Sequence, residues 1–253
     1  MDLFICTNTY IPLRKGPSHR SEMVSQVLFG ERFAITDRLP DWVKIETLFD
    51  AYSGWINSLH GGYAAWDEGS IGIITANEIR CIKKDDGHLM TIYPGSELFG
   101  ITDDLSSFTF ARQTCHLEGS QIPMLKPDSS ITSSALQFLN SPYLYGGRTP
   151  AGIDCSGLVQ AVFKIHGTAL PRDAAKQAEL GDTVNFLSDA RPGDVLFFSR
   201  NNDEISHTGI LVDNETVIHA YGMVRADRID HHGIWSEEKA SYTHMLRLIK
   251  RMK

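Results

Sequence analysis

Short runs of hydrophobic residues, separated by turn-forming residues, dominate the first half of the chain. Three of these runs are residues 33–35, 42–45 and 54–56. Runs of this length that are rich in Val, Ile, Phe and Trp and bounded by Gly or Asp are typical of strands. Short strands at this spacing predict small barrels. We therefore predict one or two small all-β barrels, as a domain over residues 1–62 and a second β-rich domain over residues 63–127.

The hydrophobic pattern changes in the second half of the chain, after a predicted linker at residues 126–130. Over residues 155–167 the apolar positions recur every three or four residues and end at Gly167, which predicts an amphipathic helix with a glycine stop. Two further helices are predicted at residues 133–139 and 172–180, and three strands at residues 194–199, 207–212 and 217–221. Helices followed by an antiparallel sheet predict an α+β domain over residues 128–253.

The composition restricts the partners that we expect. The 253-residue chain has a formal net charge of -7, which argues against binding to nucleic acid or to an anionic membrane surface. The chain opens Met1-Asp2-Leu3, with no basic segment before a long apolar run, so we expect no secretory signal. No apolar run reaches transmembrane length. These features predict a cytoplasmic protein with no membrane partner.

The four cysteines are too far apart to form a Cys-x-x-Cys motif. We expect Cys6, Cys81 and Cys115 to be buried free thiols rather than parts of a disulfide framework or a zinc site. Cys155 differs because it stands where a helix is predicted to begin. The positive end of the helix dipole stabilises a thiolate, so we expect a lowered thiol pKa and a nucleophile at this position.

Two histidines on neighbouring predicted strands are candidate partners of Cys155. His207 could accept the thiol proton, and His219 could orient the imidazole of His207, as the third member of a catalytic triad does. A zinc site built on these two histidines lacks a third ligand at suitable spacing, so we predict neither a metal nor another cofactor. Side chains alternate between the two faces along each strand, and 207 and 219 are both odd numbers. The two rings therefore share a face of the sheet only if the numbers of residues paired across the two strands add to an even total. We therefore predict an odd-length connection or an equivalent bulge, with this face turned towards the Cys155 helix.

Several segments of the second half together resemble the NlpC family of cysteine peptidases. They occur in the family's order: Tyr-Leu-Tyr-Gly-Gly-Arg at 143–148, Gly-Ile-Asp-Cys-Ser-Gly-Leu-Val at 152–159, Leu-Pro-Arg at 170–172, Arg-Pro-Gly-Asp-Val-Leu-Phe-Phe at 191–198, Ser-His-Thr-Gly-Ile at 206–210 and Ile-His-Ala at 218–220. This resemblance implies a papain-like catalytic domain that hydrolyses the γ-D-glutamyl bond to a diamino acid in peptidoglycan stem peptides. It implies catalytic roles for Cys155, His207 and His219, with the Tyr143 hydroxyl in the oxyanion hole.

The first half resembles, more weakly, the bacterial SH3-like domains that precede such catalytic domains, in the segments at 22–31 and 52–56. In the recycling branch of the family, a module of this kind leaves room only for a free L-alanyl amino terminus. The resemblance implies that Asp154 and Ser156 bind the substrate ammonium, with Glu22 and Tyr52 completing the pocket. The expected partner is an L-Ala-γ-D-Glu-diamino acid peptide, containing either meso-diaminopimelate or L-Lys. A papain-like acyltransferase or amidase, and a non-catalytic peptidoglycan-binding protein, remain alternatives.

Overall fold

The chain divides into two units, Met1–Lys126 and Pro127–Lys253. The computed structural model describes residues 2–59, 61–66, 73–75, 78–83, 87–110, 113–118, 122, 129–200 and 204–253. Residues 126–128 of the predicted linker, with the predicted boundary between the second and third domains, lie outside the described residues. Within the described ranges, no helix combines the length and the apolar character that a membrane crossing requires.

Seven antiparallel strands form the first sheet of unit 1, in the order β3-β2-β6-β5-β4-β1-β7. Their bounds are β1 Leu3–Cys6, β2 Tyr10–Arg14, β3 Met23–Leu28, β4 Arg32–Arg38, β5 Trp42–Thr47, β6 Ser53–Asn57 and β7 Tyr63–Ala65. The three hydrophobic runs identified in this region all lie in strands. Because β7 pairs with β1, the sheet extends beyond the boundary predicted at residue 62.

Six shorter strands follow in unit 1. They form a four-stranded sheet, β10-β9-β13-β12, and a pair, β11-β8. Their bounds are β8 Ile73–Ile74, β9 Ile79–Lys83, β10 Leu89–Ile92, β11 Glu97–Leu98, β12 Ser107–Phe110 and β13 Gln113–Leu117. Phe29, in the turn after β3, packs in the core of these strands, edge-on to Phe108 and Phe110. The two β regions of unit 1 therefore share an aromatic contact.

All four cysteines are buried and free of disulfide bonds. Cys6 packs in the core of the first sheet, and Cys81 and Cys115 pack in the second core. The prediction of buried structural thiols at these three positions is confirmed.

Unit 2 begins with short helices and continues as a sheet, which confirms the α+β prediction. The helices are α1 Ile131–Leu136, α2 Cys155–Ile165, α3 Ala174–Gln177 and a 3₁₀ turn at Leu187–Asp189. The strands are β14 Arg148–Thr149, β15 Gly152–Ile153, β16 Asp182–Val184, β17 Val195–Ser199, β18 His207–Asp213, β19 Thr216–Tyr221, β20 Met223–Ile229, β21 Gly233–Ser236 and β22 Ser241–Arg251. The helix predicted at residues 172–180 is reduced to the single turn α3.

The large sheet of unit 2 closes on itself. Its order is β16-β22-β17-β18-β19-β20-β21, and β21 also pairs with β22, so β17 to β22 form a ring. Closure gives β21, which would otherwise be an edge strand, a second hydrogen-bonded neighbour, whereas β16 pairs with β22 alone. The long strand β22 makes closure possible because it pairs with β16, β17 and β21.

Helix α2 and the imidazoles lie on different sides of the barrel wall. Leu211 and Val217, on the same face as the two histidines, pack in an apolar cluster drawn from the barrel strands and Ala190, with no residue of α2. The helix nevertheless contacts β18 and β19. The prediction that the whole histidine face is turned towards the Cys155 helix is therefore wrong. In a closed barrel that face lines the interior, and His207 meets Cys155 only because it is the first residue of its strand.

Candidate active site

Cys155 is the first residue of α2, and the residue before it caps the helix. The Asp154 carboxylate accepts a hydrogen bond from the Gly157 N–H at 2.7 Å and another from the Gly146 N–H at 2.7 Å. The first contact satisfies an amide that the helix leaves without a partner, and the second ties the preceding loop to the helix start. Asp154 therefore fixes the backbone on both sides of Cys155.

The Asp154 carboxylate is buried in an ion pair with Arg172. The guanidinium donates to both carboxylate oxygens, at 3.0 and 2.5 Å, and the two side chains are 3% and 6% exposed. The same guanidinium donates to the Ser156 hydroxyl at 2.8 Å. Asp154 and Ser156 thus meet next to Cys155, as the sequence predicts. Their predicted contact with a substrate ammonium stays a prediction, and Arg172 is a charged partner that the sequence analysis did not assign.

Close backbone packing brings the loop of Tyr143 to the helix start. A Cβ on Gly157 would lie 2.2 Å from the Gly147 carbonyl oxygen, so only glycine fits at this first turn. The Tyr143 N–H donates to the Gly222 carbonyl at 3.0 Å, and Tyr143 also bridges Ile153. Tyr143 is therefore held between the barrel and the segment that leads into Cys155.

A cavity of about 350 Å³ opens beside the Cys155 thiol. It brings together three of the predicted catalytic residues, Tyr143, Cys155 and His207. The other residues that line it are Arg200, Ser206, Ala220, Tyr221, Gly222 and His244. Its volume lies in the range of small-ligand sites. Most of its lining comes from the ends of barrel strands and the connections between them.

The two predicted histidines form a direct hydrogen bond. His207 Nε2 lies 2.7 Å from His219 Nδ1, and both rings are buried. This contact depends on a register shift: Gly209 pairs with His219, whereas Asp213 pairs with Thr216, so β18 gains a bulge between Leu211 and Asp213. The prediction of a bulge equivalent to an odd-length connection is confirmed. With it, His207 and His219 lie on one face.

The other nitrogen of His219 contacts a carboxylate that the sequence analysis did not identify. His219 Nε2 lies 3.0 Å from Asp227 Oδ2, and Arg225 Nε lies 2.8 Å from the same oxygen. Asp227 and Arg225 lie two residues apart on β20, on the face that they share with His219 because His219 pairs with Arg225. Alternation from the predicted β19 would have placed Asp227 beside His219 if β20 had been recognised as a strand.

A third buried imidazole, also unassigned from the sequence, stacks on His207. The His244 ring lies 4.1 Å from the His207 ring, with 22° between the planes, and its Nε2 accepts from Arg200 Nε at 3.2 Å. Across the residues that the structure describes, no group of three or more metal-ligating side chains is arranged to hold an ion. The stacked His244 ring therefore covers one face of the His207 ring.

Burial controls the charge of both reacting groups. Burial, and then the charge of Asp154, raise the pKa of the Cys155 thiol to about 12, although the Thr208 N–H and Arg172 act in the opposite direction. Burial, with His219 and His244 nearby, holds the pKa of His207 well below its usual value. At neutral pH the resting site thus holds a thiol and a neutral imidazole. The prediction of a lowered thiol pKa is wrong, since desolvation and Asp154 outweigh the helix terminus.

The Tyr143 hydroxyl is a proton donor in this environment. Burial, followed by the proximity of Cys155, raises the pKa of Tyr143 to about 12. A phenol that keeps its proton can donate a hydrogen bond to an anion that forms at the adjacent reacting centre. This is the property that an oxyanion hole requires.

The two predicted binding residues of unit 1 each lie directly before a strand of its first sheet, Glu22 before β3 and Tyr52 before β6. The half-exposed carboxylate of Glu22 lies 3.9 Å from Lys15 Nζ. Tyr52 packs against the core of this sheet, and its N–H donates to Thr47 Oγ1 at 3.0 Å. Their predicted contact with the substrate stays a prediction.

Comparison with known proteins assigns both units. Residues 140–243 match the NlpC/P60 family, and residues 13–60 match the bacterial dipeptidyl-peptidase SH3 domain. The chain thus combines an NlpC/P60 domain, of the cysteine-peptidase class and with a papain-like fold, with a preceding SH3-like all-β region. The resemblance noted in the sequence is confirmed.

Individual relatives extend the similarity over both units. The chain is 29% identical over 225 residues to the gamma-D-glutamyl-L-lysine dipeptidyl-peptidase of Bacillus subtilis, covering 78% of this chain and 71% of that protein. It is 23% identical over 230 residues to dipeptidyl-peptidase 6 of Lysinibacillus sphaericus, covering 81% and 82%. A crystal structure of an NlpC/P60 family protein from Bacillus cereus superposes with a TM-score of 0.81 at 16% identity, covering 98% and 99% of the two chains. This last likeness concerns the fold.

The buried ion pair at the helix start should stabilise unit 2 strongly. We expect Arg172→Ala to lower the free energy of unfolding by about 3–5 kcal/mol, because it leaves the buried Asp154 carboxylate without its counter-charge. Lys176→Ala is the matched control, since it breaks an exposed 3.8 Å pair with Asp173 and should cost about 0–1 kcal/mol. Chemical denaturation of both variants measures the difference. Equal losses would contradict the assignment.

The raised thiol pKa predicts the pH dependence of Cys155 alkylation. Below its pKa, the thiolate fraction grows about tenfold per pH unit. The iodoacetamide reaction rate should therefore climb by roughly this factor per unit between pH 7 and 9, without levelling off. Cys155→Ser provides the background from the three structural thiols. A rate that is already constant from pH 6 upwards would show a resting thiolate–imidazolium pair instead.

Proposed function

We propose that this protein is a cysteine peptidase that hydrolyses the γ-D-glutamyl bond to a diamino acid in peptidoglycan stem peptides with a free amino-terminal L-Ala. The observation that carries this proposal is the cavity in which Cys155, His207 and Tyr143 meet. It supplies a nucleophile, a base and an oxyanion donor within one site. The bond type comes from relatives whose names specify γ-D-glutamyl-L-lysine substrates.

The first chemical step is attack of the Cys155 sulfur on the γ-carbonyl carbon of the glutamyl residue. The thiol is protonated at rest, so its proton passes to a neutral His207 as the carbon–sulfur bond forms. The carbonyl oxygen becomes an oxyanion. It accepts hydrogen bonds from the Tyr143 hydroxyl and from the Cys155 N–H, one of the amides at the helix start that lack an intrahelical partner.

The second step releases the diamino acid, and the third regenerates the enzyme. The tetrahedral intermediate collapses, the carbon–nitrogen bond breaks, and the imidazolium of His207 gives its proton to the leaving amine. A water molecule then attacks the thioester and transfers a proton to His207. The glutamyl carboxylate leaves, and the sulfur recovers its proton. No cofactor is needed for this sequence.

We further propose that the site accepts only small fragments, as expected for recycling of wall peptides in the cytoplasm. The substrate ammonium would bind near Asp154 and Ser156, with Glu22 and Tyr52 from unit 1 completing the pocket. The SH3 match and the relatives that share both units support this role for unit 1. The positive charge of Arg172 offsets the negative charge of Asp154, so Asp154 alone gives the proposed ammonium site no net negative charge.

The hydrolytic activity is tested with the synthetic tripeptides L-Ala-γ-D-Glu-meso-diaminopimelate and L-Ala-γ-D-Glu-L-Lys, with products identified by mass spectrometry. We expect the dipeptide L-Ala-D-Glu and the free diamino acid. Cys155→Ser should lower kcat by on the order of 10⁴-fold or more while the fold is retained, because it removes the nucleophile. Cys115→Ser is the matched control and should keep activity, since this thiol is buried in unit 1.

Other outcomes of this experiment discriminate between the alternatives. Transfer of the dipeptide to an added amine in preference to water would identify an acyltransferase. Binding of the tripeptides without turnover would identify a non-catalytic peptidoglycan-binding protein. Either result contradicts the proposal.

The restriction to free amino termini is tested separately by comparing the tripeptide with its N-acetyl form and with intact peptidoglycan. We expect cleavage of the free tripeptide only, since acetylation removes the charge and leaves buried polar groups unpaired. Glu22→Gln should raise KM for the free tripeptide. Glu46→Gln, at an exposed carboxylate on β5, should leave KM unchanged. Efficient cleavage of whole sacculi would exclude the recycling role.

A further inference from the structure

We infer that Asp227 is a positioning residue for catalysis: through His219 it fixes the tautomer of His207, so that His207 Nδ1 is the nitrogen that accepts the Cys155 proton. The inference rests on the catalytic roles proposed for Cys155 and His207 and not on the identity of the substrate. It follows from two contacts in series, His207 to His219 at 2.7 Å and His219 to Asp227 at 3.0 Å.

The chain of hydrogen bonds can be ordered from its carboxylate end. A carboxylate can only accept hydrogen bonds, so the contact between Asp227 Oδ2 and His219 Nε2 requires a proton on that nitrogen. Burial alone would raise the pKa of Asp227, but hydrogen bonds from His219 and Arg225 outweigh it and lower the pKa. Asp227 is therefore ionised at neutral pH.

The proton on Nε2 determines the other nitrogen of His219. Burial, partly offset by Asp227, lowers the pKa of His219, so the ring is neutral and carries a single proton. With that proton on Nε2, Nδ1 has a lone pair and accepts a hydrogen bond. His207 Nε2, at 2.7 Å from it, must then be the donor.

The same argument determines the reactive nitrogen of His207. A neutral His207 that carries its proton on Nε2 has a lone pair on Nδ1, and Nδ1 is the nitrogen that does not face His219. Because His207 and Cys155 line one cavity, this lone pair serves the thiol. The opposite arrangement would place the lone pair of His219 Nε2 against the charge of Asp227, which is repulsive.

Arg225 holds the Asp227 carboxylate in place. Its Nε donates to Asp227 Oδ1 at 2.9 Å and lies 2.8 Å from Oδ2, while Glu238 lies 3.5 Å from its Nη2. The paired guanidinium keeps one oxygen of Asp227 directed at His219. The order of hydrogen-bond donors and acceptors is thus fixed from Asp227 on β20, through His219 on β19, to His207 at the start of β18.

Substituting Asp227 by Asn and by Glu tests the inference. An Asn side chain that turns its NH₂ group to His219 Nε2 donates to that nitrogen, reverses both tautomers and places the His207 proton on Nδ1. We expect Asp227→Asn to lower kcat on the order of 10²-fold or more with little change in KM, as loss of a general base does. Asp227→Glu keeps an acceptor-only group and should retain more of kcat, whereas a purely steric role would favour the isosteric Asn. Asp182→Asn, at an exposed acid of β16 whose carboxylate pairs with Lys253, is the matched control.

A second measurement needs no substrate. Nitrogen-15 NMR of histidine-labelled protein, with signals assigned from single-histidine variants, distinguishes the two neutral tautomers. We expect the wild-type His207 and His219 to carry their protons on Nε2, and Asp227→Asn to move both to Nδ1. A wild-type His207 protonated on Nδ1 would overturn the inference, as would an Asp227→Asn variant that shows the reversed tautomers and keeps kcat within about threefold of wild type. A wrong substrate assignment would leave the tautomers as expected, so the two failures are distinguishable.

Discussion

The hydrogen bond between His207 and His219 is the constraint on which the rest of the site depends. It exists because β18 holds one extra residue between Leu211 and Asp213, which brings both imidazoles to one face of the barrel. Without the bulge, a two-residue turn alone would place the two rings on opposite faces. A local backbone irregularity therefore determines whether the base has an orienting partner.

Barrel closure adds the second condition, a dry environment for the imidazoles. The ring of strands from β17 to β22 surrounds an apolar cluster, and the histidines extend the interior of that ring to its open end. Burial there keeps His207, His219 and His244 neutral near pH 7. Neutral rings with a fixed order of donors and acceptors can receive a proton at one chosen nitrogen, whereas exposed histidines near their usual pKa would be mixtures of states.

Sequence reasoning was most successful where a residue type carries its own chemistry. Cys155 at a helix start and two histidines on adjacent strands were sufficient to predict that Cys155 and His207 line one cavity and that His207 contacts His219, and the alternation of strands predicted the bulge. The helix α2 was predicted within two residues of its end because its apolar spacing is regular. Its capping residue, Asp154, was assigned to substrate alone, since a carboxylate before a helix gives no sign of its buried counter-ion Arg172.

The parts that sequence reasoning missed depend on long-range packing. Strand β20 alternates apolar and charged residues, and two of its charged residues, Arg225 and Asp227, pair with each other beside His219. No local pattern separates such strands from a solvated segment. His244 lies on the last strand, 37 positions after His207, and becomes its stacking partner only through barrel closure. The prediction of a lowered pKa for the Cys155 thiol was wrong for the same reason, since burial and the charge of Asp154 are tertiary effects that outweigh the local helix terminus.

The protonated thiol and the neutral base together explain why the site needs so many positioning groups. A preformed thiolate could attack the carbonyl without a base, but a resting thiol must lose its proton in the step that forms the bond to carbon. That step requires His207 to be placed and protonated correctly before substrate arrives. His244 covers one face of the His207 ring, and His219 with Asp227 restricts the tautomer of His207. Burial, and then the charge of Asp154, raise the pKa of the Cys155 thiol, so attack on a carbonyl in the cavity depends on proton transfer to a correctly placed His207.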